Sequence, residues 1–205
     1  MLFSCSNNTQ EVRDFLASKN LPIGVAKNAF HVYKDSGRIT SKLITPLLHE
    51  MHFLQRLLAS FWTLKNAFHV YKDSGRITSK LMTPLLHDFS NRKQHPYNEF
   101  PDGIKIINFE GKDSVTITGN YALTYSKTSV SEIIGNVIVL NHTEQSRLET
   151  EQLFWDQNTK YFFSEKAFIL STIKDTVYGV GFECKEDLSK HIAKKAIGKL
   201  ITTEK

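Results

Sequence analysis

Val115-Thr116-Ile117-Thr118, a Gly119-Asn120 break, then Tyr121-Ala122-Leu123-Thr124-Tyr125: here apolar and polar side chains alternate with a period of two. That period belongs to a β-strand, because successive side chains leave opposite faces of the pleat. Two such runs around a Gly-Asn pair read as consecutive strands, with apolar groups on the odd positions of both. The pattern continues on either side. Upstream, Ile104-Lys105-Ile106-Ile107-Asn108-Phe109 alternates and is closed by the turn Glu110-Gly111-Lys112-Asp113. Downstream, Gly135-Asn136-Val137-Ile138-Val139-Leu140 is dense in β-branched residues, and further strands are expected over 148–155, 161–170 and 177–182. The segments from Val115 to Leu140, Leu148 to Leu170 and Val177 to Leu200 share one plan of strand, polar turn and strand, so the tail beyond Lys190 is also read as strand. Units of this kind stacked in order build an all-β two-faced sheet stack or elongated jelly roll, with an unpaired strand at each end.

A duplication precedes this region. Residues 27–50 read KNAFHVYKDSGRITSKLITPLLHE, and residues 65–88 read KNAFHVYKDSGRITSKLMTPLLHD. The copies differ only at Ile44/Met82 and Glu50/Asp88, which points to a tandem duplication and away from a drifting solenoid repeat. Each copy has a β-hairpin pattern around Lys-Asp-Ser-Gly. If the fold has one slot for this hairpin, the other copy must pair at an edge or sit outside. Between the copies, Met51, Leu54, Leu57, Leu58 and Phe61 recur at a helical spacing, which predicts a short inserted helix over 51–64. A second short helix is expected from Glu11 to Ser18, with Val12, Phe15 and Leu16 on one face. Three parts follow: an N-terminal tether over 1–26, a hairpin copy plus helix over 27–64, and the β-jelly-roll domain over 65–205.

The chemistry-bearing residues are sparse. No stretch approaches the ~20 apolar residues of a spanning helix. The net charge of +5 leaves nucleic acid or an anionic surface open. The lysines are interleaved with acids, however, and no RNP, zinc-finger or helix-turn-helix pattern occurs, so no nucleic-acid partner is expected. His49-Glu50-Met51-His52 is one residue short of placing two histidines at i and i+4, and neither a nucleophile elbow nor a phosphate loop is present. No catalytic residue, metal ligand or cofactor is assigned. Cys5 stands in Leu2-Phe3-Ser4-Cys5-Ser6, the pattern of a bacterial lipoprotein cleavage site, although no charged and apolar leader stands before it. The polar run Ser6-Asn7-Asn8-Thr9-Gln10 suits a tether, and a diacylated Cys5 would hold the chain on a membrane from the periplasmic side.

Several stretches together resemble the LptC family, the periplasmic component of lipopolysaccharide export, in its Bacteroidetes-type lipoprotein members. They are Gly24-Val25-Ala26-Lys27, Asp73-Ser74-Gly75-Arg76, Thr83-Pro84-Leu85-Leu86, Pro96-Tyr97-Asn98-Glu99-Phe100-Pro101-Asp102-Gly103-Ile104, Gly135-Asn136-Val137, Leu148-Glu149-Thr150-Glu151-Gln152-Leu153-Phe154-Trp155-Asp156 and 179–182. The second hairpin and the missing leader depart from the family pattern. The resemblance implies an elongated β-jelly roll open at its ends that acts as a non-enzymatic carrier. It would accept lipopolysaccharide from an inner-membrane ABC transporter and pass it to a periplasmic LptA-like bridge.

Such a carrier needs an apolar lumen. Each methylene left in water costs about 0.8 kcal/mol, so a 14-carbon chain amounts to on the order of 10 kcal/mol. The candidate lumen residues are Ile117, Tyr121, Leu123, Tyr125, Val137, Val139, Leu153, Trp155, Phe163, Phe168 and Leu170. Taken one at a time, each such residue is more often ordinary core, and the assignment concerns the set. The competing class is an envelope lipoprotein that uses a closed β-stack as a protein-binding scaffold without lipid cargo.

Overall fold

The computed structural model describes residues 22–35, 38–52, 60–92, 94–111 and 113–197. These residues form thirteen strands, joined antiparallel in one sheet, and no helix occurs among them. In chain order the strands are β1 (Pro22–Asp35), β2 (Arg38–His52), β3 (Ser60–Asp73), β4 (Arg76–Asp88), β5 (Tyr97–Phe100), β6 (Ile104–Glu110), β7 (Asp113–Gly119), β8 (Tyr121–Tyr125), β9 (Val130–Asn141), β10 (Ser146–Asp156), β11 (Tyr161–Ser171), β12 (Thr176–Lys185) and β13 (His191–Ile197).

The sheet is folded on itself, and β4 and β9 show how. One half of β4 pairs with β6 through Ser79–Met82, while its far end pairs with β5 at His87 and Asp88. Likewise β9 pairs with β7 through Ile138–Asn141 and with β8 through Val130–Ile134. Because β6 pairs with β7 and β5 with β8, six strands close into a ring. Each long strand therefore crosses from one leaf, built on β6 and β7, to a second leaf built on β5 and β8. A jelly-roll-like fold with two facing leaves results.

The corners share one device. Thr83 Oγ1 donates to the Gly103 carbonyl at 2.8 Å and accepts from the Leu85 N–H at 3.3 Å. Thr45 repeats this with the Lys65 carbonyl at 2.7 Å and the Leu47 N–H at 3.4 Å. Thr150 Oγ1 donates to the Ala167 carbonyl at 2.8 Å, and Ser164 Oγ accepts from the Lys166 N–H at 3.0 Å. All four hydroxyl residues are buried. At Thr150 and Ser164 the register slips, and there a buried hydroxyl takes up backbone groups that the ladder leaves unpaired. The slip also changes which residues face inward. In β10 the buried positions run Leu148 and Thr150, then Leu153 and Trp155, so the parity flips across the corner.

The duplicated hairpins occupy neighbouring places in this sheet. β1 and β2 carry the first copy, β3 and β4 the second, and β2 pairs with β3 along most of its length. In the second hairpin Ser74 (φ 48°) and Gly75 (φ 83°) lie between the paired Asp73 and Arg76, as a two-residue turn with two left-handed residues requires. The helix expected over 51–64 is corrected: Met51 and His52 finish β2, Ser60–Leu64 begin β3, and Met51 pairs with Phe61. Apolar spacing alone does not decide between the two periods there, and pairing with a flanking strand does. Residues 53–59 lie outside the described residues, as do the helix expected over 11–18 and Cys5. The tail reading holds, since β13 is a strand paired with β12.

In such a stack each hairpin contacts only its neighbours. Deleting residues 27–64 joins Ala26 to Lys65 in the sequence context that precedes the first copy. The shortened chain is expected to unfold in one cooperative transition with a midpoint close to that of the full chain. Urea denaturation followed by circular dichroism checks this, and a broad or absent transition would contradict it.

Candidate functional site: the space between the leaves

The two leaves turn apolar faces toward each other. In the first leaf, strand pairing sets Leu43, His69, Leu81, Ile106, Ile117, Val139, Leu148 and Leu170 side by side. In the second, Phe100, Ala122, Ile133 and Leu153 form the matching row. All of these except His69 are buried and belong to one continuous core cluster. Ile117, Ala122, Ile133, Val139 and Leu153 have 0% exposure, so deep between the leaves the faces are in contact.

Seven of the eleven lumen candidates lie on these inner faces: Ile117, Val137, Val139, Leu153, Trp155, Phe168 and Leu170 are all buried. Four do not. Tyr121, Leu123 and Tyr125 pair with Ile134, Glu132 and Val130, on the face opposite the fully buried pair Ala122 and Ile133. The odd-position parity of Val115 and Ile117 flips at Gly119-Asn120, where the Asn120 N–H reaches back to the Ile134 and Gly135 carbonyls. Phe163 also faces outward, 38% exposed and stacked on Phe154 at 5.3 Å, while its neighbour Phe162 points in beside Trp155.

Toward one side the leaves diverge into a cleft of about 760 Å³. The turn after β12 reaches across it. Glu186 accepts from Asn108 Nδ2 of the first leaf at 2.6 Å and from the Trp155 indole of the second at 3.2 Å. Asn141 Nδ2 donates to the Asp187 carbonyl at 2.7 Å, and Leu188 is buried beneath the turn. Burial raises the Glu186 carboxyl pKa, against the lowering effect of its two hydrogen-bond donors. Sequence reading missed this strap because Lys185-Glu186-Asp187 has the composition of a solvated turn. The corner threonines carried a legible signal: Thr-Pro-Leu-Leu occurs twice, and Thr-Glu-Gln-Leu places a hydroxyl at the same point of β10.

Two groups bear on chemistry. Cys184 is a free, buried thiol, and burial pushes its pKa up to about 12, so it is not a thiolate nucleophile at neutral pH. His69 stacks on Tyr71 at 4.1 Å, and its buried Nε2 has no hydrogen-bond partner. Burial lowers its pKa from 6.5 to about 4. An unfolded chain takes up that proton near pH 6.5, the folded chain only near 4. The His69 contribution is thus fully present above pH 6.5 and drains away as the pH falls toward 4. His69→Phe keeps an aromatic ring against Tyr71 and is expected to flatten this stretch of the stability curve. Urea midpoints at pH 7 and pH 4.5 measure it, and an unchanged slope between them would count against the assignment.

A two-leaved antiparallel sheet with an apolar interior and a cleft at one side is a β-jelly-roll-like architecture. No cluster of metal-ligating side chains occurs among the described residues. Residues 62–191 match the family described as lipopolysaccharide-assembly, LptC-related, and the chain belongs to the LptC family. The match begins within β3, at the second hairpin copy. Membership assigns the chain to lipopolysaccharide transport in the cell envelope, in a family of non-enzymatic components. No curated protein matches the chain.

Proposed function

We propose that this chain carries lipopolysaccharide through the periplasm, holding acyl chains between its leaves. It accepts the lipid from an inner-membrane ABC transporter and hands it to an LptA-like β-jelly-roll bridge. Cys5, diacylated, tethers it to the membrane. The observation that carries this reading is the row from Leu43 to Leu170, apolar but for His69, which runs across the strands of the first leaf and faces a second apolar row. Because the deep interior is packed, carriage requires the leaves to part. The hydrocarbon then replaces side-chain contacts of similar polarity, at little cost in apolar surface. β13, whose Ile192 and Ile197 are 69% and 61% exposed, offers an edge on which a partner strand can add.

The test is photo-crosslinking in cells. A photoreactive residue at Leu153 or Phe168 is expected to give a lipopolysaccharide adduct, and one at the outward Phe163 is not. Adducts at none of the inner positions would overturn the proposal. That outcome favours the scaffold reading, which the complete burial of Ile117, Ile133 and Leu153 also supports: a closed core with binding only at the sheet edges.

A further inference from the structure

The outer faces of the two leaves differ in charge. On the first leaf, at its hairpin end, Phe30, Ile44, Phe68 and Met82 stand side by side in one outward row, which Lys105 of β6 continues. In the next row Lys42 and Lys80 alternate with Val32 and Val70. No acid occurs at these positions. Phe30 and Ile44 are 57% and 44% exposed. Lys42 Nζ lies 5.8 Å from the centre of the Phe30 ring and Lys80 Nζ 5.4 Å from that of Phe109, so both ammonium groups ride over apolar side chains. Because the second hairpin lies beside the first, Phe68, Val70 and Lys80 repeat Phe30, Val32 and Lys42, and the duplication doubles this face. The outer row of the second leaf runs through Glu99, Leu123, Glu132, Phe154, Phe163 and Glu183. Its acids are engaged: Glu99 by the Tyr121 hydroxyl at 2.8 Å, Glu132 by Gln152 Nε2 at 2.6 Å and Glu183 by Lys194 at 3.6 Å.

We propose that the hairpin end of the first leaf's outer face lies on the surface of a bilayer that contains anionic phospholipid. The face is the outside of the leaf and takes no part in the carriage proposed above. Lysines at an anionic surface meet lipid phosphates, while Phe30, Ile44 and Val32 reach the boundary of the acyl chains. Neighbouring strands turn by roughly 20–25°, so a flat surface meets only a few of them at once, and β1 to β4 supply such a run. The acidic outer face of the second leaf is repelled by the same surface, which settles the molecule with one leaf down. A second copy of the chain fits this face less well. Its acidic row would have to release Tyr121, Gln152 and Lys194 before pairing with lysines, and front-to-back stacking of that kind does not close. Each lysine contributes roughly fivefold to binding at an anionic surface, and three together about a hundredfold.

The experiment uses the full chain with Cys5→Ser, so that no acyl anchor contributes. It is sedimented with vesicles of phosphatidylcholine alone and of an equal mixture with phosphatidylglycerol. Binding to the mixed vesicles is expected, at least tenfold tighter than to phosphatidylcholine and weakened by high salt. The variant with Lys42→Gln, Lys80→Gln and Lys105→Gln, checked for an unchanged far-ultraviolet spectrum, is expected to bind about a hundredfold more weakly. Two single variants locate the face. Phe30→Trp is expected to shift its fluorescence to the blue on mixed vesicles, and Phe163→Trp on the other leaf is not. No binding to the mixed vesicles, equal binding to both kinds, or full binding by the lysine variant overturns the proposal. So does a blue shift at Phe163→Trp without one at Phe30→Trp. A shift at Phe30→Trp that grows with protein concentration in the absence of vesicles would show that a second copy covers the face, and would overturn it as well.

Discussion

Phe168→Ala is expected to lower the unfolding free energy by about 3–5 kcal/mol, the range for emptying a large aromatic site in a packed interior. The ring is 4% exposed and meets Phe182 edge-on at 5.1 Å, joining an inner position of the first leaf to one of the second. It lies directly against Gly179, its register partner on β12. A Cβ at Gly179 would come within 2.6 Å of the Phe168 ring and 2.7 Å of the Lys195 carbonyl on β13. Gly179→Ala is therefore also expected to be destabilising. Combining it with Phe168→Leu should cost less than the sum of the two single changes, since the smaller side chain removes the ring overlap. The rescue should be incomplete, because the backbone carbonyl of Lys195 cannot move aside as a side chain can. Urea midpoints of the four proteins measure this, and strict additivity would show that ring and glycine are not coupled.

The second large effect belongs to the corners. Thr83→Val keeps the shape of the side chain and removes the hydroxyl, leaving the Gly103 carbonyl and the Leu85 N–H without their partner. A loss of about 1–3 kcal/mol is expected, the desolvation cost of groups buried without a hydrogen bond. Thr150→Val should cost a similar amount by freeing the Ala167 carbonyl, and the two changes should add, since they share no partner. Thr45→Val offers an internal contrast. Its carbonyl partner, Lys65, lies at the junction of the two hairpins, outside the six-strand ring. Global stability should hardly change there, while amide exchange should speed up locally in β1 and β2. A global loss equal to that of Thr83→Val would mean that the first hairpin is part of the cooperative core.

The strands were legible because alternation is a local signal. Tyr121–Tyr125 lies where its pattern puts it, and the second hairpin turns at Ser74-Gly75 between the paired Asp73 and Arg76. The facing of side chains was legible only between corners. A one-residue slip reverses every inward position beyond it, and nothing in Tyr121-Ala122-Leu123 announces that Ala122 is the buried member. Phe162 and Phe163 are adjacent and identical, and only the partner strand decides which enters the interior. The strap was hidden for a different reason. Glu186 is held by Asn108 and Trp155, which lie 78 and 31 residues away, so its role exists only once the leaves are folded together. The helix expected over 51–64 came from a real periodicity that a neighbouring strand overrode.

The stretch from Lys27 to Asp35 on β1 repeats, residue for residue, the stretch from Lys65 to Asp73 on β3, and Asn28 and Asn66 share the same left-handed backbone at φ 53° and 49°. A sheet that grows by one whole hairpin ends on a strand of the same direction and lettering as before. Among the described residues, the duplication therefore shifts that end of the sheet by two strand widths, roughly 10 Å, without redrawing it. Any neighbour shaped to grip the shorter version would find the same handhold on the longer one, displaced outward.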